Sequence, residues 1–151
     1  MPTIQLLGRP AVVASGSSAG PPRGQKAWAL LAYLIRCDTA PTREAVAGLL
    51  FPEADDPLRA LRWVLSEIRR VLGSTNAVSG DPLVLALPAG TTVDVDVVLH
   101  GSWRAALELA QFGRPFLDGV NPAAGAAFEL WLENERRYLG AASEGLLHEA
   151  A

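Results

Sequence analysis

Arg59, Arg62, Arg69 and Arg70 fall with Trp63 and Ser66 inside the segment PLRALRWVLSEIRRVLG, residues 57–73, at spacings that gather them on one side of a helix. Guanidiniums are planar five-donor forks, and several on one side suit gripping phosphates or pairing bidentately with guanine in a major groove. Around the same cylinder Leu58, Leu61, Leu65, Ile68 and Leu72 form an apolar stripe that must meet a core. A plain solvated side accounts for the same pattern: arginine favours helix, its stem covers apolar surface, and Glu67 can pair with a neighbouring arginine. The place of this helix in the fold has to decide between the two.

Other chemistries are poorly supported. Gly16-Ser17-Ser18-Ala19-Gly20 matches the G-x-S-x-G pattern of a nucleophile elbow, but Pro21-Pro22 interrupt the helix that must follow at once. The segment reads more simply as a flexible loop. The histidines, His100 and His148, sit in helical stretches with no visible base or orienting partner. Asp94 and Asp96 alternate with Val93, Val95 and Val97, which places both acids on the solvent side of an extended segment and implies no metal. Cys37 is the single cysteine, so neither an internal disulfide nor a cysteine-based zinc site can form within one chain. No catalytic role and no cofactor are expected.

Half of the 151 residues are hydrophobic, enough for one good core or two small domains. No apolar run approaches the roughly 20 residues needed to cross a bilayer, and the start lacks a secretory pattern, so a cytoplasmic protein without membrane contact is expected. The net charge of −3 opposes polyanion binding if it is spread evenly. It is not: residues 1–92 hold nine Lys and Arg against seven acids, and the remainder four against nine. A weakly basic module followed by an acidic one is the resulting picture.

Thr3–Leu7 and Ala11–Ala14 read as strands around Gly8-Arg9-Pro10. Helices are expected from Gln25 to Arg36, from Arg43 to Leu50 with Thr42 as N-cap, and over 57–72. The third has Asp56 and Pro57 at its start and Gly73 just past its end. Ala77–Ser79 and Leu83–Leu87 around Gly80-Asp81 read as a hairpin, and Val93–Leu99 continues as extended or helix-entering chain. Helices are expected again over Trp103–Gln111 and Phe128–Leu139. Two strands, three helices and a hairpin make an α+β chain that begins with a winged helix-turn-helix, whose third helix lies in the major groove.

LLGRPAVV, KAWALLAYLI and TREAVAGLLFPEADDPLRALRWVLSEIRRVLG resemble, in that order, the SARP-type transcriptional activators. VDVDVVLH, GRPFLDGV and FELWLENERRYL resemble the segment that follows in that family, with Trp131, Glu135 and Arg136 where a helical, TPR-like domain begins. The resemblance implies an OmpR-like winged helix over residues 1–93 with small antiparallel sheets, and the start of a bacterial transcriptional activator domain over 94–151. It implies double-stranded DNA as partner at repeated half-sites, with self-association, and RNA polymerase as a protein partner. On the matching helix, Arg59, Arg62, Trp63 and Ser66 would read bases while Arg69 and Arg70 hold phosphate. Trp63 packing under the wing is an equal alternative. Lys26 and Arg43 open the first two helices, where phosphate would be held by helix-start amides; solvated caps explain them as well.

The sequence departs from the family pattern at the wing, where Gly80-Asp81-Pro82 stands and no Lys or Arg occurs between Val71 and Trp103. It ends at Ala151, where family members continue through many more helices, so a few helices must bury their apolar sides on the winged helix or on a second chain. Phe116, Phe128, Trp131 and Leu132 are the residues expected at that junction. The expected function is sequence-specific DNA binding by a transcriptional regulator; a winged-helix scaffold that has lost DNA binding and acts through protein contacts is the alternative.

Overall fold

The computed structural model describes residues 2–13 and 21–151. Gly16–Gly20, with its G-x-S-x-G pattern, and the end of the expected second strand lie outside them. The described residues form two compact units: one from those within Met1–Ser17, Gly90–Gly119 and Leu130–Ala151, the other from those within Ser18–Ala89 and Val120–Glu129.

In the first unit, β1 (Thr3–Gln5) pairs antiparallel with β2 (Ala11–Val13), Thr3 opposite Val13 and Gln5 opposite Ala11. Gly8, at φ 68°, makes the turn possible in a region that side chains with a Cβ rarely enter. Beyond β1 the backbone pairs again, with LLG meeting PFLD: Gly8 N donates to Pro115 O (2.8 Å), Leu117 N to Leu6 O (2.8 Å) and Asp118 N to Gly8 O (3.0 Å). Two stretches that are 100 residues or more apart in sequence are thus laminated by main-chain bonds. The other edge of β1 differs from the expected antiparallel pattern. A short β-strand at Thr92–Val93, the last of five among the described residues, pairs with it in parallel, Ile4 beside Val93.

That strand runs straight into a helix at Asp94–His100, and this overturns the expectation for Asp94. Asp94 is 4 % exposed, and its carboxylate accepts Leu6 N (2.9 and 3.0 Å to its two oxygens) and Leu7 N (2.9 Å). Alternation misleads because the strand ends at Val93. From there a helical period takes over, burying Val95 and Val98 and leaving Asp96 exposed. Asp94 closes the end of β1, where the ladder would otherwise leave two buried amides bare.

A short helix at Trp103–Leu107 follows, capped by Ser102, whose Oγ accepts Ala105 N (3.1 Å). It is shorter than expected, giving way to turns before Phe116. The last helix, Ala126–Ala150, is longer: Gly140 and Gly145 are each worth about 1 kcal/mol less than alanine, yet the surrounding Ala and Leu residues carry it through. In this unit Phe116 packs edge-on to Trp131, ring centroids 6.0 Å apart, and Arg136 donates to Phe116 O (2.8 Å) and Leu117 O (2.9 Å). Phe116 and Leu132 are buried here, and Phe128, at the start of the same helix and within the second unit, is buried as well.

The second unit holds α1 (Gln25–Arg36), α2 (Arg43–Leu50) and α3 (Pro57–Leu72), with bounds as the sequence predicts. They are followed by a hairpin, β3 (Val78–Ser79) and β4 (Val84–Leu85), in which Val78 opposes Leu85. α3 packs against both α1 and α2. Ala27–Ala32 of α1 are buried without interruption, as befits the central helix of a three-helix core.

Replacing Asp94 with Ala leaves the Leu6 and Leu7 amides buried without an acceptor, and should cost about 2–4 kcal/mol in urea denaturation. Burial pushes the Asp94 carboxyl above its ordinary value of 3.8, a rise that the backbone N–H bonds only partly offset. A raised folded-state value means the folded chain holds the proton longer than the unfolded one. The advantage of wild type over Asp94→Asn should therefore be greatest in acid and shrink as pH rises through the elevated pKa.

Candidate nucleic-acid interface

The ends of α3 are fixed locally. Asp56 accepts Arg59 N (3.1 Å), Pro57 occupies the first turn where its missing N–H costs nothing, and Gly73 closes the helix in the left-handed conformation at φ 71°. Leu61, Val64, Leu65, Ile68 and Leu72 face the core. Leu58, expected among them, is 45 % exposed: at the edge of the stripe in the first turn, it has no core opposite it. Val64 and the acid Glu67 are buried on this helix instead.

The outward side carries the expected basic and polar residues, and the structure divides them into two groups. Arg59, Arg62 and Trp63 are exposed, Trp63 by 53 %, and among the described residues the side chains of Arg59 and Arg62 make no hydrogen bond or ion pair. Ser66 is exposed too, but its hydroxyl donates to Trp63 O (2.6 Å), which keeps it against its own helix.

The rest are engaged within the fold. Arg69 Nε donates to Val78 O (2.9 Å), holding the hairpin to the end of α3. Arg70 clasps Glu67 with two bonds of 3.1 Å and donates to Pro21 O (3.0 Å), while Glu67 also accepts Arg23 N (2.9 Å). The Arg70 guanidinium, then the Arg23 amide, hold the Glu67 carboxyl below the usual range. This network ties the entry to α1 onto α3. The i,i+3 spacing of Glu67 and Arg70 is visible in the sequence; the role of residues 21–23 is not.

Arg43 and Lys26 serve structure in the same way. Arg43 N donates to Asp81 Oδ1 (3.0 Å) and its Nε to Gly80 O (2.8 Å), so the hairpin tip is welded to the start of α2. Asp81, unremarked as a partner in the sequence, thereby caps α2 alongside Thr42, whose Oγ1 accepts Ala45 N (3.1 Å). Lys26 Nζ donates to Leu50 O (2.7 Å) at the end of α2 and lies 4.5 Å from the centre of the Phe51 ring. An ammonium there complements the negative end of a helix.

No family model matches the chain, and no curated protein matches it. Among solved structures it is similar to Mycobacterium tuberculosis EmbR in complex with a low-affinity phosphopeptide, at 18 % identity and a TM-score of 0.63. The match covers 93 % of this chain and 43 % of that one, so the chain spans less than half the EmbR length. At this identity the likeness shows the fold, a mixture of helices and small sheets with a winged-helix-like arrangement. No described helix is long and apolar enough to cross a membrane.

Because the Glu67 carboxyl is held down in the folded state, its contribution to stability is present above the unfolded-state value and is lost as pH falls through the depressed one. Glu67→Gln should therefore lower the thermal midpoint at pH 7, and the gap to wild type should close in acid. Thermal unfolding followed by circular dichroism across that pH range measures it.

Proposed function

We propose that the chain is a sequence-specific DNA-binding transcriptional regulator of SARP type, with α3 as recognition helix in the major groove. The observation that carries this reading is the pair Arg59 and Arg62, uncommitted within the described fold and exposed on the N-terminal half of the third helix. That half is the part which reaches base edges in helix-turn-helix modules. Trp63 and Ser66 flank them. Arg69, Arg70, Arg43 and Lys26, spent on internal bonds, contribute charge to a phosphate backbone only from where the fold holds them. EmbR is a SARP-family regulator, and the fold likeness supports the same class for this chain.

In this reading residues 1–93 are the winged-helix module and 94–151 the start of the helical activator domain, a division of the sequence that the compact units do not follow. The partners are duplex DNA at repeated half-sites, a second copy of the chain, and RNA polymerase; the compartment is the cytoplasm. Self-association matters because two modest footprints joined in one complex multiply their affinity. The second reading, a scaffold acting by protein contacts alone, draws on the acidic balance and on a wing whose Asp81 serves α2 and which carries no Lys or Arg.

A salt titration on a random-sequence duplex pool separates them. Wild type should show log K falling with log salt, and Arg59→Ala/Arg62→Ala together should flatten the slope by up to about 2 units, because on sequences they cannot read these guanidiniums neutralise phosphates instead, each such contact contributing about 0.9. Failure of wild type to bind duplex even at low salt would sink the DNA reading. Arg69→Ala should mainly loosen the hairpin, with a smaller change in slope.

A further inference from the structure

Wholly within the second unit, between the start of α1 and the outer edge of α3, lies a cleft of about 540 Å³. Its size falls in the range of small-molecule sites. Phe51, Trp63, Val64 and Pro122 supply apolar wall, while Arg23 and Lys26 are the charged residues lining it, both positive. Trp63 is more than half exposed along this wall, a large aromatic surface left to water.

The cation is held in place. Lys26 gives one N–H to Leu50 O at 2.7 Å and rests on the Phe51 ring, so its position is fixed while donors remain, since an ammonium has three. Charge at the adjoining start of α1 points the same way: Gly24 offers no capping side chain and the first turn contains no acid. Partial burial already pulls the Lys26 ammonium below its ordinary range, a cost that an anion in the cleft would offset.

We infer that this cleft binds a small planar aromatic carboxylate, its ring against Trp63 and its carboxylate toward Lys26. A bare phosphate would satisfy the cations and leave the apolar wall wet; a neutral ring would cover the wall and leave the ammonium without a counter-charge. The aromatic acid matches both. The inference does not depend on DNA recognition, and its test contains no DNA, so either can fail alone.

The probe is 2-naphthoate, titrated at pH 7 into the full chain with nitrogen-labelled amides and followed by NMR. The Trp63 indole N–H and the amides of Gly24–Ala27 should move on one saturable isotherm, with Kd on the order of 1 mM or tighter. Neutral 2-naphthol should bind about ten-fold more weakly or worse, and Lys26→Met should bring naphthoate down to the naphthol level. Ala60→Trp, which fills the cleft from α3, should abolish the shifts while the spectrum still reports a folded chain, and this guards against Lys26→Met acting through α2. Inorganic phosphate should not displace the probe. Non-saturating shifts, equal binding of naphthol, displacement by phosphate, or intact binding in Ala60→Trp would each overturn the assignment.

Discussion

The apolar stripe of α3 can be buried in only one rotation, and this constraint governs what the second unit presents to its surroundings. Leu61, Val64, Leu65, Ile68 and Leu72 all face inward, and at about 25 cal/mol per Å² of apolar surface their burial far exceeds anything gained by turning an arginine inward instead. Once they are seated, Arg59, Arg62 and Trp63 have nowhere to go but out. The outward face is thus a by-product of core packing, and its orientation is as rigid as the core itself.

Much of this was legible beforehand. The bounds of α1, α2 and α3 followed from apolar period, N-caps and the closing glycine, because those signals act within a few residues of one another. What could not be read was which arginines are spent. Arg69 and Arg70 look like Arg59 and Arg62 in sequence; they differ in having a carbonyl of the hairpin and a buried acid within reach. A basic face in sequence is an upper bound on the basic face in space, and here the fold consumes the C-terminal half of it.

The first unit was harder for a related reason. The parallel pairing of Ile4 with Val93 joins residues far apart in the chain, and no local turn signal announces it. Asp94 is the sharper case. Its alternating valine neighbours are compatible with a strand or with the strand-to-helix junction that occurs, and only the otherwise bare amides of Leu6 and Leu7, which offset part of the cost of burial, give a carboxyl partners there. Leu58 shows the converse, a residue on the correct side of its helix but one turn beyond the core.

The weld between Arg43 and the Gly80-Asp81 tip gives the hairpin a mechanical character in place of an electrostatic one. Anchored at its tip to α2 and at its base to α3 through Arg69, the loop works as a tie-bar between two helices of the unit. A wing free at its tip can swing to follow a groove; one fastened at both ends cannot, and it passes any load on it directly into the helix pair. Any movement of the hairpin relative to the two helices has to break these bonds first.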